Sequence, residues 1–225
     1  MQIDDHLPTP QQEPPASQAL FLDPTQRNRP LPRSTILVSA TPRNGIGCRG
    51  KVPWQTRSLG QFHHRVITGP ETSDRSDLNT VMMSNGEWKR STASDWGDVR
   101  SVVVSRDQAA RNISDTSTVV NSITSALDRI PWTPAKIFVV GGAWLFEEAL
   151  TRDLVDRIII TRILDPTYDD CDAFLPDFHS IRELDPALWR RASHAELCGH
   201  VGFQVEPGIV EEDGVRYEHE MWIKV

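Results

Sequence analysis

The 225-residue chain is short of cysteine, of basic charge and of long apolar runs, and each shortage excludes something. Its three cysteines, Cys48, Cys171 and Cys198, are odd in number and widely spaced. They make neither a disulfide framework nor a zinc cluster, and they fit a reducing compartment. Against 31 Asp and Glu there are 24 Lys and Arg, a net charge of -7, which disfavours general nucleic-acid binding. No apolar stretch approaches the roughly 18 residues that cross a bilayer. No apolar signal core follows a basic start, and Asp4, Asp5 and Glu13 disfavour a transit peptide. A cytoplasmic monomer is expected, without nucleic-acid or membrane partners. Hydrophobic residues make up 38%, enough for a real core, so wholesale disorder is excluded.

Residues 1–34 differ from the rest. They hold seven of the 16 prolines beside Gln2, Gln11, Gln12, Gln18 and Gln26. Such composition buries too little to offset its ordering entropy, so a flexible arm is predicted ahead of one domain spanning 35–225.

From Thr35 onward, short apolar runs alternate with helical patterns. Thr35–Ala40, Thr80–Met83, Ser101–Ser105, Lys136–Val140 and Arg157–Thr161 are nearly continuous in apolar residues, as strands buried on both faces of a parallel sheet are. Ile123, Ala126, Leu127 and Ile130 recur at helical spacing behind the cap candidates Asn121 and Ser122. Leu59, Phe62, His63 and Val66 repeat the pattern after Trp54. The alternation predicts an α/β sheet with crossover helices. Trp189–Leu197 and Arg216–Val225 read as strands joined without a helix, a long antiparallel hairpin on one edge.

Two glycine-bearing junctions carry the chemistry. Gly141-Gly142 closes a strand and opens a helix over Ala143–Leu150, where the backbone can approach a ligand and the helix amino end favours phosphate. A simple tight turn is the competing reading. The loop Asn44–Trp54 is punctuated by Gly45, Gly47 and Gly50, as a lid over a site is. It matches neither general nucleotide fingerprint. His63 and His64 read as partly exposed helix surface, with His63 as a candidate acid; no third ligand suggests a metal. Lys51 and Arg57 read as solvated charges.

The order of these pieces is more specific than any one of them. Ala40, Asn44-Gly45-Ile46-Gly47 and Val52-Pro53-Trp54 are followed by Val81-Met82-Met83 and Val102-Val103-Val104-Ser105-Arg106. Ile137 to Ala143, Asp156 to Ile163, Asp172-Ala173-Phe174-Leu175-Pro176 and Gly214 to Trp222 complete the series. Over 35–225 this resembles dihydrofolate reductase, of fungal type. The resemblance implies an eight-stranded, mostly parallel α/β sheet with about four flanking helices, NADPH as hydride donor and a small-molecule cleft. Ala40, Ile46 and Gly47 would line the nicotinamide, with Gly141, Gly142 and Ala143 beneath the pyrophosphate and Ser105 and Arg106 at the 2′-phosphate. Trp54, Thr161 and His63 would stand at the reaction, and Leu59, Phe62 and Phe146 at the substrate.

The departures are equally specific. The family's acid, five residues after the Pro-Trp tryptophan, is Leu59, and its tyrosine after the glycine pair is Phe146. That acid binds the pterin amidine and helps place a proton on the imine nitrogen; leucine does neither. The Gly-Arg-Lys-Thr-Trp element reads Ser84-Asn85-Gly86-Glu87-Trp88, and the carboxylate-clamping arginine is Val99, with Arg100 one position off. These losses point to a specialised small molecule with a C=N or C=C bond rather than dihydrofolate. A cofactor-independent cyclase or isomerase, a non-catalytic binding protein and an ordinary dihydrofolate reductase remain as alternatives.

Overall fold

The computed structural model describes residues 32–54, 56–69, 78–91, 99–107, 118–130, 136–180 and 188–225. All lie in the second of two compact units, 31–225; the first unit, 1–30, and with it most of the arm expected from composition, lies outside the described residues.

Eleven described strands form two sheets. The large sheet runs β10(Ile209–Glu212), β11(Val215–Lys224), β7(Val155–Asp165), β1(Ser34–Ala40), β6(Ile137–Gly141), β3(Thr80–Ser84), β4(Arg100–Val104), β5(Thr118–Val120). From β7 to β5 all neighbours are parallel, and β11 is antiparallel to β7 and β10. β9(Trp189–Arg191) adds a short antiparallel pairing to β11. The eight-strand path is the expected architecture. β2(Gly45–Gly47) and β8(Ala173–Phe174) form a separate antiparallel pair.

Parallel strands need covering on both faces, and the helices supply that cover. On one face, α1(Arg57–Thr68) sets Phe62, Val66 and Ile67 against Leu37, Val81, Phe138, Ile159 and Met221. Thr56 caps this helix by accepting the Leu59 N–H, and Gly69 ends it at φ 67°. On the other face, α3(Ile123–Leu127) and α4(Ala143–Thr151) bury Ile123, Ala126, Leu145 and Phe146. A short helix, α2(Asn85–Arg90), leaves the end of β3 behind the cap Ser84.

The carboxyl-terminal region differs from its expectation. Trp189–Leu197 is not one strand: after β9 the chain turns into α5(His194–Val201). Ser193 and Glu196 make a reciprocal capping box, and Leu197, Cys198 and Val201 then fall on one buried helical face. The hairpin is formed instead by β10 and β11, and β11 lies inside the sheet, with β10 at the edge.

Arg162 on β7 joins three parts of the fold. It donates to Glu220 Oε1 at 2.7 and 3.0 Å, to the Thr41 carbonyl at 2.8 Å and to Asn44 Oδ1 at 3.0 Å. The Glu220 side chain is only 7% exposed. Arg162→Ala would leave that carboxylate buried with, among the described residues, only the Arg191 guanidinium, 3.6 Å away, facing it. A loss of about 3 kcal/mol in urea unfolding is expected. The double variant Arg162→Leu/Glu220→Leu should lose less than Arg162→Ala alone.

Candidate active site

The carboxyl ends of β1 and β6, with α1, α2 and the loop after β1, enclose a cavity of about 1060 Å³. Ile46, Gly47 and Trp54 line it from the loop, Leu59, His63 and His64 from α1, and Gly141, Gly142, Ala143 and Phe146 from the β6–α4 junction. This is where open α/β sheets bind ligands, because loops diverge there and helix amino ends point inward.

The glycine pair is required by its surroundings. Gly142 has φ 95°, a conformation that side chains resist, and a Cβ there would sit 2.9 Å from the Ser84 side chain. A Cβ on Gly141 would sit 2.7 Å from Glu87 Cγ and 3.0 Å from Glu87 Oε2. The Glu87 side chain therefore lies directly over the glycine turn. Its carboxylate is held at 2.6 Å by Arg90.

The loop over the cavity is tied down. Gly45 and Gly47 pair with Phe174 and Ala173, Arg49 N–H donates to Asp172 at 2.9 Å, and Leu175 N–H donates to the Asn44 carbonyl at 2.8 Å. Trp54 behind it is buried edge-on against Tyr168, and its indole N–H is buried without a hydrogen-bond partner among the described residues.

The sequence candidates divide into three groups. Trp54, Ile46, Gly47, Leu59, His63, Phe146, Gly141, Gly142 and Ala143 are brought together around the cavity. Phe62, Thr161 and Ala40 are buried and are not part of its lining. Phe62 faces the sheet, because the next residue on α1 turns about 100° away from it. It stacks on His219 with ring centroids 3.7 Å apart. Thr161 is fully buried, and its hydroxyl lies 3.0 Å from His219 Nδ1. Ser105 and Arg106 form the third group, at the end of β4. The Ser105 hydroxyl accepts the Asp107 N–H at 3.2 Å. The Arg106 side chain is 73% exposed, 4.7 Å above the Trp144 ring and 3.8 Å from Glu148.

Sequence reasoning missed Ser39, His219, Arg90 and Arg162. His219 alternates with Tyr217 and Met221, a period-two signal that puts an imidazole on a buried face. Among the described residues Glu87 is the one carboxylate in the cavity wall, and it stands at the glycine end. Behind the wall, Leu59 packs with Trp54, Ile163, Val215 and Tyr217.

An α/β sheet with a ligand-sized cleft at the carboxyl ends of its strands defines the class as a small-molecule or cofactor-binding domain. The comparisons narrow it. The profile of the family described as Dihydrofolate reductase matches residues 97–196. A dihydrofolate reductase of Cryptococcus neoformans var. neoformans is 34% identical over 220 residues, covering 85% of this chain and 95% of that protein. One from Pneumocystis carinii is 28% identical over 84% of this chain and 96% of its own. The fold matches Schistosoma mansoni dihydrofolate reductase with a TM-score of 0.65 at 21% identity, over 86% of this chain and 99% of that one. The chain belongs to the dihydrofolate reductase family, whose members use NADPH as cofactor.

The histidines beside the cleft carry a pH signature. Burial lowers His63 to about 4. Burial, reinforced by the nearby His63, lowers His219 to about 3. In the unfolded chain both return to 6.5, so the unfolded state takes up protons first as pH falls. Their contribution to stability is complete above 6.5 and is lost progressively as pH falls through their folded values. Urea midpoints measured from neutral pH downward should decline along that window, and His219→Phe should make the decline shallower.

Proposed function

We propose that the protein reduces dihydrofolate at the expense of NADPH. The observation carrying this reading is the 34% identity to the Cryptococcus enzyme, which extends across nearly the whole of both chains. NADPH supplies the hydride when bound; this chain's residues hold and orient both reactants and exclude water. Gly141, Gly142 and Ala143 offer backbone N–H groups at the amino end of α4 to the diphosphate. Ile46 and Gly47 stand at the nicotinamide end, while Ala40, expected there, is fully buried behind the cavity wall. Arg106, exposed and backed by Trp144, offers a guanidinium fork to the 2′-phosphate beside Ser105.

One group opposes this arrangement. Glu87 lies over Gly141, where the diphosphate belongs, so it must turn away as the cofactor enters and release Arg90 to meet the phosphates. Glu87→Gln should therefore tighten NADPH binding by about tenfold, since a carboxylate beside a phosphate is repelled strongly in a half-buried site. Arg106→Ala should weaken NADPH by about 1.5–3 kcal/mol and leave NADH almost unchanged. Nicotinamide fluorescence titration reads both. Equal losses for the two cofactors would remove Arg106 from the 2′-phosphate.

A second reading, a planar unsaturated substrate other than dihydrofolate, rests on Leu59 and Phe146, both buried apolar walls where the family carries an acid and a tyrosine. The two readings separate on turnover. With dihydrofolate as substrate, the wild-type protein should turn over at a rate reduced by about 10²–10⁴-fold against an enzyme with the carboxylate. Leu59→Glu should raise that rate, by less than the full factor because burial raises the new carboxyl's pKa. Absorbance at the nicotinamide band checks this. No turnover of dihydrofolate by wild type with NADPH bound would favour the second reading.

A further inference from the structure

Beneath α1 the sheet carries two successive rows of side chains across β1, β7 and β11. The first row, Leu37, Ile159 and Met221, is apolar and packs with Phe62 and Val66. Two residues along each strand, on the same face, stand Ser39, Thr161 and His219, which the register sets side by side: Ser39 opposite Thr161, and Thr161 opposite His219. This second row is wholly polar. From above, α1 brings His63 onto it, with Nε2 3.3 Å from Ser39 Oγ. Thr161 Oγ1 and His219 Nδ1 lie 3.0 Å apart. The Phe62 ring covers His219 at 3.7 Å. Two imidazoles and two hydroxyls are thus drawn beneath α1 as two hydrogen-bonded pairs, Thr161 fully buried and Ser39, His63 and His219 half-buried, an arrangement that is costly unless every member is satisfied.

Only one of the two pairs reaches the cleft. Ser39 and His63 both line the cavity, whereas Thr161 is fully buried behind them. Leu59, one turn before His63 on the same helix, faces the cavity with no polar atom to offer.

We propose that Ser39 and His63 together form the polar anchor for the substrate's heterocyclic ring, with Thr161 and His219 as positioning residues that hold the row beneath them. The proposal rests on the dihydrofolate reading and adds the groups that take the ring. A planar heterocycle with an amino group beside a ring N–H presents two donors. The pair answers with a hydroxyl oxygen and an imidazole lone pair, both acceptors, and neither carries charge. Burial keeps the imidazole neutral, which preserves that lone pair. In this arrangement His63 Nε2–H donates to Ser39 Oγ, which leaves the Nδ1 lone pair and a second lone pair on the hydroxyl oxygen for the ligand, so the hydroxyl fixes the tautomer shown to it.

The test compares wild type with Ser39→Ala, His63→Phe, His63→Gln and His219→Phe. Steady-state kinetics with dihydrofolate are measured at saturating NADPH, and NADPH affinity is measured separately by fluorescence. Ser39→Ala and His63→Phe should each raise KM for dihydrofolate about tenfold, with NADPH affinity unchanged. His63→Gln, which keeps an acceptor, should recover part of that loss. Ring-nitrogen NMR of His63 should show one neutral tautomer in wild type, a shift on adding dihydrofolate alone, and a mixed tautomer population in Ser39→Ala and His219→Phe. A folded Ser39→Ala and His63→Phe with KM within twofold of wild type, or His63 resonances unmoved by dihydrofolate, would overturn the anchor and leave the dihydrofolate reading standing. Wild type that binds NADPH yet neither binds nor reduces dihydrofolate would overturn both.

Discussion

Strand β7 lies between β1 and β11 with helices on either face, so every polar group it carries has to be satisfied from within the fold. That constraint organises the active-site end of the molecule. On the α1 face Thr161 finds His219 across the antiparallel pairing. The next residue, Arg162, points to the opposite face and finds Glu220 together with the start of the loop over the cleft. Two consecutive residues of one strand therefore fix both the floor beneath α1 and the loop that closes the cavity. Because Thr161 is fully buried and Arg162 largely so, loosening either would release two elements at once.

The same constraint explains how the cleft manages charge. A carboxylate at Leu59 would have to be solvated or paired among Trp54, Ile163, Val215 and Tyr217, none of which carries a charge. The chain instead places neutral acceptors nearby, where imidazoles held well below their ordinary values stay unprotonated. Formal charge moves to the other end of the cavity. There Glu87 and Arg90 neutralise each other over the glycine turn; Arg106 stands exposed outside the cavity lining, at the end of β4.

Much of this was legible in the sequence, for identifiable reasons. The five central strands are nearly unbroken apolar runs, and burial on both faces leaves a sequence no other option. Gly141-Gly142, Gly45 and Gly47 were readable because a close backbone approach tolerates no Cβ. The error at Trp189–Leu197 had a local signal against it. Ser193 with Glu196 three residues on is a capping box, and Leu197, Cys198 and Val201 follow at helical spacing. The polar row under α1 was out of reach. Ser39, Thr161 and His219 are separated by up to 180 residues in the chain, and only the sheet register makes them neighbours. Phe62 and His63 are adjacent in sequence, and the helix rotation that sends one to the core and the other to the cleft depends on where α1 docks.

On the proposed reading, neutral groups orient the substrate and no charged partner meets the ring that is protonated, so the chemical step is slow. The most direct measurement is the deuterium isotope effect on kcat, comparing NADPH with NADPH deuterated at the transferred position, with saturating dihydrofolate at neutral pH. A slow hydride transfer predicts an isotope effect well above unity on kcat, equal to that seen in a single turnover. An isotope effect near unity, with product release limiting a fast turnover, would contradict the account.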